Sequence, residues 1–282
     1  MLVFFVGFLF LLVVSTGIIA GCSSQLQQEN QISVEQKRQE FTIAGSGSNI
    51  AVTKKLLGAF KEKQKMNIEI PDSIGSGGAI SGVAKGSVDL GLTSRALTEA
   101  EKAGGLKEIP YARSGLIVAV GSAVPDHNVS YEDLVGIYQG NKTIWSNGMP
   151  IIVFVMYEKD STNEVLMREI PGFKEVLLDS LRNNRWQVFY NQQAQEQALA
   201  KTPNAIAFIN MPAAVEGIKV LHVNGVMPSR ENVLNGSYKL YKTLNYVHRE
   251  PIDPQMSAFI DFTFSQRGKE ILIDNECIPL NK

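Results

Sequence analysis

Short apolar runs in this chain end repeatedly in polar, glycine-rich turns and resume at helical spacing. Phe41-Thr42-Ile43-Ala44 predicts a β-strand, followed by the turn Gly45-Ser46-Gly47-Ser48-Asn49. From about Ile50 to Lys63, apolar side chains at Val52, Leu56, Leu57 and Phe60 share one face of a predicted helix. Ile68 to Ile70 predicts the next strand. A second turn, Gly75-Ser76-Gly77-Gly78, leads into a helix over Ala79 to Lys85. Val88 to Leu92 then reads as a buried strand ending at Ser94-Arg95. This strand-turn-helix order, given twice, builds an open parallel sheet. Both Gly-Ser turns follow strands and therefore share one sheet edge, where ligands sit in such sheets.

The pattern continues with an apolar strand at Leu116 to Val120, a helix at Tyr131 to Tyr138 and a buried strand at Ile151 to Met156. That strand runs into another polar turn, Asp160-Ser161-Thr162-Asn163, before a helix. Ser161 or Thr162 could cap this helix, and the same position could present N–H groups to an anion. Gln192 to Ala200 reads as a helix and Ala205 to Ile209 as a strand. Leu234 to Lys242 reads as a loop entering an extended segment. Gln255 to Phe264 opens a terminal helix expected to end near Gly268. No solenoid period is present.

Residues 1–20 are almost wholly apolar and end in Ile19-Ala20-Gly21-Cys22. Small residues before a cysteine resemble a bacterial lipobox, which implies a signal peptide over 1–21 and lipidation of Cys22. The opening Met1-Leu2-Val3-Phe4-Phe5 lacks a positive n-region, so the start as written is expected to be truncated or misplaced. An uncleaved anchor is the alternative, and either places the remainder outside the cytoplasm. Residues 22–40 are polar, lack an apolar face and read as a flexible tether.

Charge narrows the functions. Lys and Arg total 27 against 28 Asp and Glu, a formal charge of -1, without the basic stripe a nucleic-acid binder needs. Any affinity for an anion must come from local geometry. The two turns supply it: glycine permits close backbone approach, helix starts leave N–H groups free, and serine hydroxyls stand beside them. Ser76 and Gly77 form one such candidate contact, and Ser94 with Arg95 another. His127, His222 and His248 show no metal-ligand spacing. They also supply no triad context for Ser46, Ser48, Ser76 or Ser161 as nucleophiles. With Cys22 outside the folded part, Cys277 is expected to be a buried, unpaired thiol.

Several segments together resemble the phosphate-binding proteins of ABC importers, the PstS-like branch of solute-binding proteins. They are the GSGSN turn, GSGGAISGVAKGSVDLGLTSR, YEDLVGIYQGNKTIW, NAIAFIN, VNGVMPSRENVLNGSYKLYKTL and NECIPL, in the family's order. The resemblance implies an α/β, two-lobed periplasmic-binding-protein fold of type II-like form, each lobe an open, mostly parallel sheet flanked by helices. Lobe one would comprise residues 41–115 and 245–282, and lobe two residues 116–244. Leu116 to Val120 and Tyr238 to Leu244 would be the crossings. It further implies a tetrahedral oxyanion, phosphate foremost, held in the cleft by Ser48, Asn49, Ser76, Gly77, Ser94, Arg95, Ser161, Thr162 and Asn163 and passed to a membrane permease. No cofactor or metal is implied, and a monomer is expected. Molybdate, sulfate or an organic anion, or a sensor or adhesion lipoprotein, are the alternatives. Where the family carries an arginine followed by Gly-Ser-Gly-Thr, this chain has Tyr157 and then Asp160-Ser161-Thr162-Asn163. Either Arg95 makes up the missing charge, or it pairs with Glu99 or Glu101.

Overall fold

The computed structural model describes residues 40–61, 67–211 and 216–282. The apolar run, Cys22 and all but the last residue of the tether lie outside the described residues. Strand β1 (Glu40–Gly45) ends at Gly45, whose φ is +155°. Helix α1 (Gly47–Lys61) starts two residues later and buries Val52, Leu56, Leu57 and Phe60, the face expected from their spacing. It begins three residues earlier than expected, so Ser48 and Asn49 sit in its first turn. After β2 (Asn67–Glu69), α2 (Gly75–Lys85) likewise takes Ser76 and Gly77 into its first turn. It stops at Gly86, which holds a left-handed φ of 76° that a side chain would oppose. Next come β3 (Leu90–Thr93), the short α3 (Glu99–Ala103) and the long β4 (Leu106–Gly121).

The remaining elements follow in order: β5 (Asn128–Val129), α4 (Tyr131–Gln139), β6 (Ile152–Met156), α5 (Ser161–Glu169), α6 (Phe173–Arg182) and β7 (Gln187–Phe189). Then come α7 (Gln192–Lys201), β8 (Ala205–Asn210), β9 (Ile218–Val223), α8 (Arg230–Leu234) and β10 (Tyr241–Arg249). Helices α9 (Pro254–Phe264) and α10 (Gln266–Asp274) precede the last strand, β11 (Cys277–Pro279). The expected single terminal helix is two, parted at Ser265. Gly268 is not their end: it sits in the first turn of α10, where an added Cβ would stand 2.3 Å from the Phe262 carbonyl oxygen. Among the described residues, no helix is long and apolar enough to cross a membrane.

The main sheet runs β2-β1-β3-β10-β4-β8-β6-β7. β1 and β3 are parallel, as are β8, β6 and β7, while β10 and β4 run antiparallel to their neighbours. Strand β4 spans both halves. Up to Gly115 it pairs with β10, and from Leu116 it pairs with β8. Only Leu116 to Val120 was expected to be strand. The first ten residues of β4 are hidden by Lys107, Glu108 and Pro110. Proline cannot donate to a ladder, and the register slips opposite it, between Leu244 and Asn245, leaving Tyr111 unpaired in the ladder.

The two largest apolar cores among the described residues flank this junction. One packs Leu56, Phe60, Leu92, Tyr111, Tyr246 and Phe259 around β1, β3 and β10. The other packs Val118, Leu134, Tyr138, Val155, Phe173 and Phe208 around β4, β6 and β8. Each such fully buried side chain contributes about 1.5–3 kcal/mol. The cleft lies between the cores, at the starts of α1, α2 and α5.

Candidate functional site

Helix α2 opens the site. Its N-cap is Ile74, which provides no side-chain hydrogen bond to the first turn; Gly75 N donates to Ser73 Oγ at 3.4 Å, and the Ser76 and Gly77 N–H groups lack the usual Ser, Thr or Asp N-cap acceptor. Gly77, in that turn, lines a cavity of about 1030 Å³ together with Ser94, Arg95, Ser161, Glu164 and Lys242. Ser76 is buried, and its Oγ accepts from Ser94 N at 3.1 Å. Ser94 Oγ in turn donates to Ser46 Oγ at 2.9 Å and accepts from Asn49 Nδ2 at 2.8 Å. Asn49 Oδ1 accepts from the Tyr111 hydroxyl at 2.8 Å. The network joins β3, α1 and α2 into one wall. Both ends of the Asn49 amide are consumed in it, so this side chain braces the site from behind.

The opposite wall is the start of α5. The cap expected of Ser161 or Thr162 belongs instead to Asp160, whose Oδ1 accepts from Thr162 N at 2.8 Å. Among the described residues the Ser161 hydroxyl is engaged in no hydrogen bond, and Ser161 lines the cavity. Asn163 is turned away: its Nδ2 donates to the carbonyls of Met156 and Tyr157 at 3.1 and 2.9 Å and holds the strand-to-helix turn. Tyr157 brings no charge. Its ring stacks on Tyr190 at 5.7 Å, and its hydroxyl lies 2.8 Å from where a Cβ on Gly75 would stand.

Between the walls lies Lys242, a residue the sequence reading did not single out. Its Nζ donates to Ser48 Oγ at 3.0 Å and to Thr162 Oγ1 at 2.9 Å. Ser48 Oγ donates onward to Asn210 Oδ1 at 3.2 Å, and Asn210 Nδ2 to Gln192 Oε1 at 2.7 Å. A ladder of side chains thus links α1 to α5 through β10. The signal was present in the strand pattern. Leu240, Lys242 and Leu244 fall on the same phase of a period-two alternation, and all three are buried.

Arg95 takes the second of its two expected roles. It grips Glu101 in a two-pronged pair, at 2.9 and 2.8 Å, and its Nε stands 3.7 Å from Glu164. Glu101 also accepts from Thr98 N and so completes the capping box of α3. The Arg95 hydrogen bond holds the Glu101 carboxyl down at about 2, whereas burial pushes Glu164 upward. With its folded value depressed, Glu101 contributes stability above its unfolded range near pH 4.5, and that stability is lost as pH falls toward about 2. Glu101→Gln is therefore expected to lower the melting temperature between pH 5 and 7 and to converge on wild type near pH 2, as measured by a thermal melt series in pH.

A family model described as a PBP superfamily domain matches residues 30–267. The chain belongs to the PBP superfamily. Within it, this PBP-superfamily chain is 25% identical over 215 residues to the phosphate-binding protein PstS of Borreliella burgdorferi, covering 71% of this chain and 76% of the relative. It superposes with a TM-score of 0.78 on a protein assigned as a phosphate ABC transporter substrate-binding protein, with phosphate bound, from Clostridium perfringens. The two share 27% identity, over 86% of this chain and 100% of the other. An ABC-type phosphate transport receptor from Vibrio cholerae, 22% identical, shares the fold at a TM-score of 0.64, over 84% and 99% of the two chains. The α/β periplasmic-binding-protein fold expected from the sequence is the observed one.

Proposed function

We propose that this protein captures inorganic phosphate outside the cytoplasm and delivers it to an ABC permease. The observation that carries the reading is a single cavity lined by Gly77 at an uncapped helix start, by the free hydroxyl of Ser161 and by the buried ammonium of Lys242. Neutral hydroxyls and backbone N–H groups can replace the hydration shell of an oxyanion without adding charge. Gly77, Ser94 and Ser161 line that position, Ser76 and Thr162 stand beside it in the same first helical turns, and Arg95 is taken up by Glu101. Ser48, Asn49 and Asn163 support it from behind, Ser48 through Lys242. The likeness to phosphate-binding proteins favours phosphate among the possible oxyanions.

The two halves of the sheet act as lobes, with boundaries near residues 115 and 245, and close over the ion. Cys22 carries the lipid that tethers the domain, the protein works as a monomer, and binding involves no turnover. Carboxylates near the site favour an ion that still carries a proton. Asp160 stands 4.0 Å from Lys242, and Glu164 lines the cavity. Phosphate at neutral pH can donate to such an acceptor, and sulfate cannot. Calorimetric titration of the full chain, unfolded and refolded to strip bound anion, tests this. Phosphate is expected to bind at least ~100-fold more tightly than sulfate or molybdate. Equal affinities, or binding of none of the three, would overturn the reading.

A further inference from the structure

Lys242 is a buried cation that no carboxylate among the described residues meets in a hydrogen bond. Its side chain is 1% exposed, and the nearest carboxylate oxygen, Asp160 Oδ1, is 4.0 Å away, beyond hydrogen-bond reach. That oxygen already accepts from Thr162 N. The two groups that Lys242 touches, Ser48 and Thr162, are neutral hydroxyls. An ammonium has three N–H donors, and these contacts use two. Burying a charge on such terms is costly unless an opposite charge arrives. Of the other cations lining the cavity, Arg95 and Arg168 are already paired with Glu101 and Glu169, and Lys159 and Lys174 are exposed to solvent.

We propose that Lys242 is the residue that neutralises the bound oxyanion, doing so from β10 at the junction of the two walls, and that Arg95 is a scaffold residue. This inference rests on the oxyanion-binding reading above and names the group that carries its charge. Because Lys242 holds Ser48 of α1 and Thr162 of α5 at once, the ion it binds is sensed by both sides of the cleft. From the α5 side Asp160 and Glu164 face the ammonium, and the α1 side presents the hydroxyl of Ser48. Burial pushes the ammonium down from the ordinary lysine range, and the two carboxylates push it back. A bound anion favours the charged form further, so affinity falls as pH rises through the lysine's ligand-free range. An arginine at 242 stays charged throughout.

The test is phosphate titration of stripped full-length wild type, Lys242→Met, Lys242→Arg and Arg95→Ala from about pH 7 to pH 10, a window in which dibasic phosphate soon predominates. The expected results are a loss of ~100-fold or more in Lys242→Met and less than about threefold in Arg95→Ala. Wild-type affinity is expected to decline toward the alkaline end while Lys242→Arg holds its own. Thermal melts without phosphate act as the folding control, with Lys242→Met expected at or above wild type. If wild type binds and Lys242→Met binds within about fivefold, or Arg95→Ala loses as much as Lys242→Met, the inference is overturned and the oxyanion reading stands. If wild type binds none of phosphate, sulfate and molybdate, that reading falls first. Should Lys242→Met not fold, parallel pH profiles for wild type and Lys242→Arg overturn the inference.

Discussion

Gly45→Val is expected to prevent stable folding. Gly45 closes β1 directly before the start of α1, and its Cβ position would stand 2.0 Å from the Leu92 carbonyl oxygen and 2.9 Å from Ala79 Cβ. Neither neighbour can retreat cheaply. Leu92 is fully buried in β3, and its carbonyl accepts from Ser46 N at 2.9 Å. Gly45 itself pairs with Leu92 in the parallel ladder, and its carbonyl accepts from Ile74 N at 3.1 Å. The chain at Gly45 thus passes against both β3 and α2 with no room for a side chain. Separating β1 from β3 would forfeit ladder bonds and open the core, at a cost of about 4 kcal/mol or more. Urea denaturation followed by circular dichroism reads this directly, and a midpoint close to wild type would contradict it.

Asn49→Leu is the second large effect, and it reaches both stability and binding. The leucine matches asparagine roughly in size but leaves the Tyr111 hydroxyl without its acceptor and Ser94 Oγ without its donor. Both sites are buried, and Tyr111 is stacked on Tyr246 at 4.2 Å with little freedom to turn. Stranding two buried polar groups costs about 1–3 kcal/mol each, so a total near 3 kcal/mol is expected. The same network positions Ser76 through the Ser94 N–H, so phosphate affinity should fall at least ~10-fold. Denaturant melts and titration on one preparation check both outcomes. A variant as stable as wild type would mean that the bonds from Asn49 contribute little.

These two residues illustrate what the sequence made legible. Glycine-serine turns after strands carry their own physics, so the two turns in the first part of the chain could be located, and the helix starts there hold Ser48 and Ser76. Asn49 was placed correctly on that edge, but the tyrosine that consumes its amide comes from β4, a partner 62 residues away. No local pattern indicates which way an asparagine in a first turn will face. The same holds for Asn163, which secures carbonyls of the preceding turn.

Lys242 escaped for a different reason. Its segment was read as a loop entering an extended stretch, with the resemblance implying a crossing strand over Tyr238 to Leu244, and neither reading marked the lysine among the other polar residues of the run. Only the shared phase with Leu240 and Leu244 marks it as inward-facing. Helix α6 was not anticipated at all, although Phe173 and Leu177 are buried four residues apart. The long β4 was foreshortened because charged residues and Pro110 mask its first half. In each case tertiary partners decided the outcome: β10 supports the masked half of β4, and α4 packs on α6.

The measurement that bears most directly on the central claim is a crystal structure of the protein grown with phosphate. A tetrahedral ion is expected in the cavity between α2 and α5, within hydrogen-bond distance of the Ser76 and Ser161 hydroxyls, the Gly77 N–H and Lys242 Nζ. A cleft holding no ion at saturating phosphate, or an ion bound elsewhere with Lys242 still joined only to Ser48 and Thr162, would contradict the account.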